Sequence, residues 1–148
     1  MTHVARDPDF EARIRASFAK QAFMATLGAR LESIAPGEVT IALPFRADLT
    51  QQNGFLHAGV VTSVVDSACG YAALSMMEPG ADVLSVEFKV NLLAPAQGRN
   101  FLAVGRVVRS GRTLVVVSGE MRARAGAGET VVALMQGTMI ARSVSPTV

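Results

Sequence analysis

The feature that most constrains this chain is an apolar segment over residues 58–77, which Asp66 interrupts near its middle. Its length is close to the ~20 residues that a transmembrane helix needs. A carboxylate at mid-membrane costs a few kcal/mol and needs a partner, and the sequence offers no second apolar span to supply one. We therefore interpret the segment as a helix that is buried in a soluble protein and covered on most of its circumference, and we expect no membrane partner.

Composition limits the classes of function that remain. The chain has 148 residues, of which 50% are hydrophobic, and this length fits one domain with a sizeable core. Its 14 Lys and Arg are scattered and form no basic stripe, so we expect no nucleic-acid partner. Cys69 is the only cysteine, the two histidines show no ligand spacing, and residues 1–20 lack the apolar core of a secretory signal. We therefore expect no disulfide, no metal and a cytoplasmic location.

Before the apolar segment, the sequence pattern predicts one helix and one hairpin. Phe10, Ile14 and Phe18 recur every four residues with charges between them, which is typical of an amphipathic helix packed on the body. Pro36 and Gly37 stand between two alternating segments. Since proline presets φ at the first central position of a turn and glycine tolerates positive φ at the second, the pair predicts a hairpin turn.

After the apolar segment, the period of the pattern changes from helical to two, which indicates strands. In the first of them we expect one face to hold Leu84, Val86, Phe88, Val90 and Leu92, and the other Ser85, Glu87, Lys89 and Asn91. Further strands are expected over about 100–109, 113–123 and 129–141. Because the connections are short, consecutive strands should be antiparallel neighbours. The fold class is therefore α+β, with a long central helix wrapped by a curved antiparallel β-sheet.

The segment that carries chemistry runs from Gln51 to Gly59. If a helix begins near Ala58, the backbone N–H groups of residues 58–60 are unpaired and carry the positive end of the helix dipole. Such donors stabilise an oxygen that gains negative charge during acyl transfer. Gly59 has no side chain, so a substrate carbonyl could approach the backbone there.

Asp66 lies nine residues after His57, on a helical stripe of small residues that includes Gly70. Its carboxylate therefore has space in front of it for a ligand or a partner backbone. An unpaired buried charge is costly, and nothing else interrupts the helix, so we favour a functional over a structural role for Asp66. Asn53 alone is typical of a turn, and His57 alone could simply cap the loop, but at this spacing before a helix start the residues together indicate a site.

These residues resemble the hotdog-fold acyl-CoA thioesterases of the PaaI-like (phenylacetate-pathway thioesterase) group. The family pattern is Asn, a short spacer, His-Gly-Gly and then Asp inside the central helix, and here it reads Asn53, His57-Ala58-Gly59 and Asp66. Ala58 stands where the family has its first Gly, which keeps the N–H and adds a methyl group. Further matches lie at 84–88, 91–96 and 111–114, and the similarity covers roughly residues 28–141.

The resemblance implies a hotdog fold and an assembly of at least two identical chains. The expected assembly is a dimer of dimers, which is a homotetramer. It implies that the N–H of Ala58 polarises the thioester carbonyl. Asp66 of the other subunit would act as general base on water or as nucleophile. Asn53 and His57 would shape the site around the carbonyl or the attacking water, and Ser85 would assist them.

We therefore expect a thioester hydrolase that cleaves a small or medium acyl-CoA to CoA and a free carboxylic acid. No cofactor is expected, because CoA is part of the substrate. Arg112, Arg109 and Lys89 are equal candidates for binding the substrate's CoA phosphates. One alternative is a non-catalytic acyl-CoA-binding module, since a fold alone does not establish activity. Another is a hydratase acting on enoyl or hydroxyacyl thioesters, although the motifs typical of those enzymes do not occur in residues 51–59.

The expected organisation has three parts. Residues 1–27 would form an N-terminal amphipathic helix packed on the domain, 28–141 the hotdog thioesterase domain, and 142–148 a loose C-terminal tail.

Overall fold

The computed structural model describes residues 2–143, which form three α-helices, one short 3₁₀ helix and a single six-stranded antiparallel sheet. The helices are α1 (Phe10–Lys20), α2 (Ala22–Leu27) and α3 (Ala58–Leu74), and the 3₁₀ helix spans Ala47–Leu49. The strands are β1 (Arg30–Ala35), β2 (Glu38–Pro44), β3 (Ala81–Leu92), β4 (Asn100–Ser110), β5 (Leu114–Ala125) and β6 (Gly128–Ser143). The predicted α+β class, with one long helix packed on one antiparallel sheet, is confirmed.

Two helices, rather than one, precede the sheet. α1 buries Ile14 completely, and Phe10 and Phe18 pack against the core at its edge. The chain then turns at Gln21, and α2 is capped after Leu27 by Gly28, whose φ of 75° lies in the left-handed region that glycine adopts freely. The tail predicted over 142–148 lies mostly outside the described residues, since β6 continues to residue 143.

Arg13 connects α1 to the last residue of α3 and to the segment that follows it. Its guanidinium donates to the backbone carbonyls of Leu74, Met77 and Glu78 at 3.0, 3.1 and 2.7 Å. It also forms an ion pair with the buried Asp7 at 3.3 Å. The carbonyls of Leu74 and Glu78 also accept from the backbone N–H groups of Met77 and Ala81, so the arginine adds a second donor to each and holds α1 against the segment that follows α3.

The strands follow the order β1-β2-β4-β5-β6-β3, which leaves β1 and β3 at the two edges. β3 therefore pairs with β6 and not with β4, so the expectation that consecutive strands are neighbours is wrong at this link. Residues 93–99 instead connect β3 to β4 across the end of the sheet. Backbone groups of this connection form hydrogen bonds with other segments. Leu93 donates to Val132 at 2.8 Å, Ala96 accepts from Leu56 at 3.1 Å, and residue 99 donates to residue 124.

A β-bulge in β3 changes which side chains face α3. The register of β3 against β6 slips by one residue between Ser85 and Glu87, which leaves Val86 as the extra residue. One inserted residue reverses the alternation of faces. Ser85 and Phe88 therefore face α3, whereas Leu84 and Glu87 face away. The prediction that the alternate apolar residues of this strand share one face is wrong for that reason.

Two glycines allow α3 to lie directly on the sheet, where it packs against β2 to β6. Gly105 in β4 pairs with Gly119 in β5. A Cβ at Gly105 would overlap the backbone of Ala68, and one at Gly119 would lie 2.6 Å from Sγ of Cys69. Cys69 is fully buried at this contact, and burial raises the pKa of its thiol to about 12. The thiol therefore stays protonated and acts as a small core residue.

Candidate active site

His57 organises the start of α3. It is the residue that caps the helix, and its Nδ1 accepts a hydrogen bond from the N–H of Gly59 at 2.8 Å. The proton of the neutral ring is therefore on Nε2, which can donate to a ligand. A Cβ at position 59 would lie 3.0 Å from Nδ1, so glycine is what lets the ring fold back over the helix start. The N–H of His57 is itself fixed by the carbonyl of Leu49 at 3.0 Å.

Only one of the three predicted free N–H groups is available. The N–H of Gly59 is taken by the His57 ring, and the N–H of Val60 donates to the His57 carbonyl at 3.0 Å. The N–H of Ala58 has no hydrogen-bond partner within residues 2–143. The expectation of unpaired donors therefore holds at Ala58 and is wrong at the next two residues, because the histidine cap occupies them.

An apolar pocket of about 500 Å³ lies beside this donor. Its walls come from the loop before α3, the first turn of α3 and the end of β3. They include Phe55, Ala58, Val61, Leu92, Leu93 and Pro95. A flexible, uncharged chain could lie in this pocket with a carbonyl oxygen at the N–H of Ala58.

Asp66 meets Ser85 on the α3-facing side of the sheet. Ser85 donates from Oγ to Oδ1 of Asp66 at 2.7 Å. Burial raises the pKa of the Asp66 carboxyl, and the hydrogen bond from Ser85 partly opposes that shift. A carboxylate with a raised pKa is a stronger base than one in water. The arrangement therefore gives a half-buried, oriented carboxylate that can accept a proton or attack an electrophile.

A second cavity, of about 260 Å³, adjoins Asp66. α3 and the start of β3 supply two of its walls, and the junction of α1 and α2 supplies the third. Its lining includes Ser17, Gln21, Gly70, Tyr71, Asp82 and Ser85. Sequence reasoning missed this contribution of the N-terminal helices. The one available signal was Gly70, which lies one helical turn after Asp66 on the stripe of small residues.

The Ala58 donor and the Asp66 carboxylate do not meet within one chain. They lie eight residues apart on α3, which is ~12 Å at 1.5 Å per residue. A carboxylate at that distance cannot reach a carbonyl that is hydrogen-bonded to Ala58. Within one chain, the Ala58 donor and the Asp66 carboxylate are therefore two separate groups.

The remaining two candidates are not among the residues that line the pocket at Ala58 or the cavity at Asp66. Asn53 lies at the exposed tip of the loop before α3, and its side chain makes no hydrogen bond to residues 2–143. Arg112 lies in the turn between β4 and β5 and lines a separate cavity of about 240 Å³ with Arg6 and Arg142. Over the described range, no group of three or more His, Cys, Asp or Glu could hold a metal ion, and no helix is long and apolar enough to cross a membrane.

Comparison with known proteins gives a consistent picture. Residues 53–129 match the model of the thioesterase superfamily. A solved thioesterase family protein from Silicibacter pomeroyi is 49% identical with a TM-score of 0.90, over 91% of this chain and 99% of that chain. The E. coli PaaI protein from the phenylacetic acid degradation operon is 19% identical with a TM-score of 0.84, over 95% and 99%; it shows the shared fold. Acyl-coenzyme A thioesterase 13 of Homo sapiens is 30% identical over 96 residues, 64% of this chain and 68% of that protein.

Proposed function

Because this chain belongs to the thioesterase superfamily and is a thioester hydrolase, we propose that its substrate is a small or medium acyl-CoA. The products are CoA and a free carboxylic acid. The similarity to a human acyl-coenzyme A thioesterase supports a CoA thioester. The observation that carries the proposal is the single free N–H of Ala58 at the start of α3, next to an apolar pocket.

The helix start polarises the thioester carbonyl. The carbonyl oxygen accepts from the N–H of Ala58, where the helix dipole adds positive potential. Charge grows on that oxygen as the tetrahedral intermediate forms, so the interaction is stronger in the transition state than in the ground state. His57 holds the neighbouring N–H of Gly59 and thereby orients the turn, while its Nε2 proton points to the exposed side, where it can hold the substrate or the attacking water.

Asp66 of another copy of the chain supplies the second half of the active site. The ~12 Å along α3 between Ala58 and Asp66 requires the carboxylate to come from a partner. There it either takes a proton from water or attacks the carbonyl carbon itself, and its raised pKa suits both roles. Ser85 keeps the carboxylate oriented by its 2.7 Å hydrogen bond.

The free edge of β3 supports an assembly of at least two copies. This strand lies at the edge of the sheet, with one side of its backbone ladder open among the described strands. Val86, Phe88 and Leu92 expose 56%, 41% and 54% of their surface. An edge with so much exposed apolar surface is a template for pairing, so a homodimer forms there, and two dimers can associate further.

The test is thiol release from a panel of acyl-CoA substrates by wild type and by the Asp66→Asn variant. Wild type should release CoA, and the variant should lose turnover by a factor of about 10³ or more, because the uncharged amide is neither base nor nucleophile. Asp9→Asn is the matched control, since Asp9 is exposed and its side chain caps nothing. Near wild-type turnover by Asp66→Asn would contradict the role of Asp66.

A further inference from the structure

We infer that the cavity between the N-terminal segment, the β4–β5 turn and the end of β6 binds the nucleotide phosphates of the substrate's CoA. We call it the arginine cavity, after the Arg6, Arg112 and Arg142 that line it. The inference rests on the proposed hydrolysis of acyl-CoA. It assigns these three residues as the ones through which the protein prefers a CoA thioester to a thioester that carries pantetheine without the nucleotide.

The charges around the arginine cavity favour a phosphate. Against its three arginines stands one carboxylate among the lining residues, that of Glu78. Arg6 pairs with Glu78 at 3.4 Å, whereas Arg112 and Arg142 form no ion pair within residues 2–143. Two exposed guanidinium groups are therefore available to an anion, and the planar guanidinium matches the geometry of a phosphate.

The turn between β4 and β5 adds backbone donors. Its Gly111 donates to the carbonyl of Leu114 at 2.8 Å, which fixes the turn. The next two N–H groups, those of Arg112 and Thr113, donate to no backbone acceptor among the described residues. Both residues line the cavity. Successive N–H groups in a turn bind anions, so the turn can supplement the arginines.

The arginine cavity adjoins the cavity at Asp66 along the start of β3. Asp82 lines the Asp66 cavity, and its cross-strand partner Arg142 lines the arginine cavity. Ser85, which holds the Asp66 carboxylate, lies four residues from Ala81, a lining residue of the arginine cavity. Four residues of a strand span ~13 Å. The extended pantetheine arm of CoA covers a distance of this order, so the chain that supplies the carboxylate can also hold the nucleotide.

The two cavities that belong to the candidate active site are poor sites for a phosphate. Two carboxylates, Asp66 and Asp82, line the first against one ammonium, that of Lys20. The pocket at Ala58 is lined by uncharged side chains alone. A dianionic phosphate is repelled in the first and gains no ion pair in the second.

Two of the three cations that the sequence offered for the CoA phosphates lie on the other face of the sheet. Lys89 follows Phe88, which faces α3, and so faces away from that helix. Arg109 is the cross-strand partner of Val116, which lies between two buried residues of β5. Neither cation lines the arginine cavity. The structure therefore favours Arg112 among the three.

Two of the three arginines lie outside the segment that the family model matches. That segment, residues 53–129, includes Arg112 but neither Arg6 nor Arg142. Arg6 is held in place through the next residue, since the buried Asp7 forms an ion pair with Arg13 of α1 at 3.3 Å. The preference for a nucleotide therefore depends on the N-terminal segment and the last strand of this chain.

The experiment measures kcat and KM for butyryl-CoA, butyryl-dephospho-CoA and S-butyryl-pantetheine. Wild type should show its lowest KM for butyryl-CoA and its highest for butyryl-pantetheine at a similar kcat, because the nucleotide binds far from the reacting carbonyl. Arg112→Gln and Arg142→Gln should each raise KM for butyryl-CoA about fivefold, the upper end for an exposed ion pair. Both should leave kcat, and KM for butyryl-pantetheine, unchanged, whereas a disturbed fold would alter the values for all three substrates.

Arg30→Gln is the matched control, since Arg30 is exposed on β1, at the other edge of the sheet. Adenosine 3′,5′-bisphosphate should compete with butyryl-CoA, while inorganic phosphate at the same concentration should not. Equal inhibition by both would assign the cavity to free phosphate and overturn the inference.

Two further outcomes would overturn the inference alone. One is an equal KM of wild type for butyryl-CoA and butyryl-pantetheine. The other is a larger rise in KM for butyryl-CoA on Lys89→Gln or Arg109→Gln than on Arg142→Gln, which would place the phosphates on the outer face of the sheet. An absence of thiol release from every thioester would overturn the proposed function and the inference with it.

Discussion

Proline at position 58 removes the proposed oxyanion donor and changes little else. Ala58 is the first residue of α3, where proline is favoured because its fixed φ suits the helix and its missing N–H has no helical partner. The preceding His57 has φ −61° and ψ 137°, an extended conformation that a residue before proline readily adopts. The N–H that is lost donates to no described residue. Ala58→Pro is therefore expected to fold, with a stability equal to or about 0.4–1 kcal/mol above that of wild type.

The catalytic effect of Ala58→Pro should be large. Removal of one oxyanion donor lowers kcat by about 10²- to 10³-fold, which corresponds to about 2.7–4 kcal/mol. The assay is thiol release at saturating acyl-CoA, with circular dichroism and thermal melting to verify the fold. Ala58→Gly keeps the N–H and serves as the control that should retain kcat. A folded Ala58→Pro variant with wild-type kcat would refute the placement of the carbonyl at this N–H.

Three further predictions concern stability and pH. Gly105→Ala places a methyl group against the backbone of Ala68, which cannot move aside; overpacking of this kind costs about 1–3 kcal/mol and should lower Tm by about 2–4 °C per kcal/mol. Gly70→Ala, in open space, should raise Tm instead, and equal melting temperatures would contradict the proposed contact. Arg13→Met removes three hydrogen bonds to the carbonyls of Leu74, Met77 and Glu78 and the ion pair with the buried Asp7, so denaturant titration should show a loss of about 1.5–3 kcal/mol; an unchanged midpoint would count against it. For Asp66, the folded-state pKa lies above the usual 3.8 because of burial. Because the folded state disfavours the ionised carboxylate, the free energy of unfolding falls as pH rises through the raised pKa. Below the unfolded-state pKa the carboxyl is protonated in both states, so it costs no stability there. Asp66→Asn should raise Tm relative to wild type at neutral pH and give no difference at about pH 3, whereas kcat/KM of wild type should rise with pH through the same raised pKa. A Tm difference that is independent of pH would contradict this reasoning.

Local patterns explain most of what the sequence predicted about the fold. Val39, Ile41 and Leu43 alternate along β2, and all three are fully buried, because a period of two fixes the buried face of a strand. The start of α3 at Ala58 follows from the polar loop before it, and the turn at Gly37 follows from its φ of 78°. Each of these features depends on a few consecutive residues.

Features that depend on distant contacts were not predictable in the same way. The bulge at Val86 leaves the apolar alternation of β3 intact in the sequence, although it reverses the faces in the sheet. The pairing of β3 with β6 depends on how residues 93–99 cross the sheet. The position of Gln21 beside Asp66 depends on the packing of α1 and α2 against α3. No short pattern encodes any of the three.

The candidate site shows the same division. The sequence placed Ala58 at the helix start and Asp66 on an open stripe, and both positions follow from helical geometry. It did not show that the ring of His57 accepts a hydrogen bond from the N–H of Gly59, because this cap depends on the rotamer of the histidine side chain. It also left Asn53 and Arg112 as candidates, and neither residue lines the pocket at Ala58 or the cavity at Asp66.

The most direct measurement of the central claim is complementation between two inactive variants. Ala58→Pro lacks the donor and Asp66→Asn lacks the carboxylate, so in a mixed dimer one site combines the intact Ala58 of one copy with the intact Asp66 of the other. After the two proteins are unfolded and refolded together in equal amounts, half of the dimers are mixed, and each has one intact site. Thiol release should recover to about a quarter of the wild-type rate, as the statistics of a twofold dimer require. A mixture that stays as inactive as its separate components would contradict a site shared between two copies.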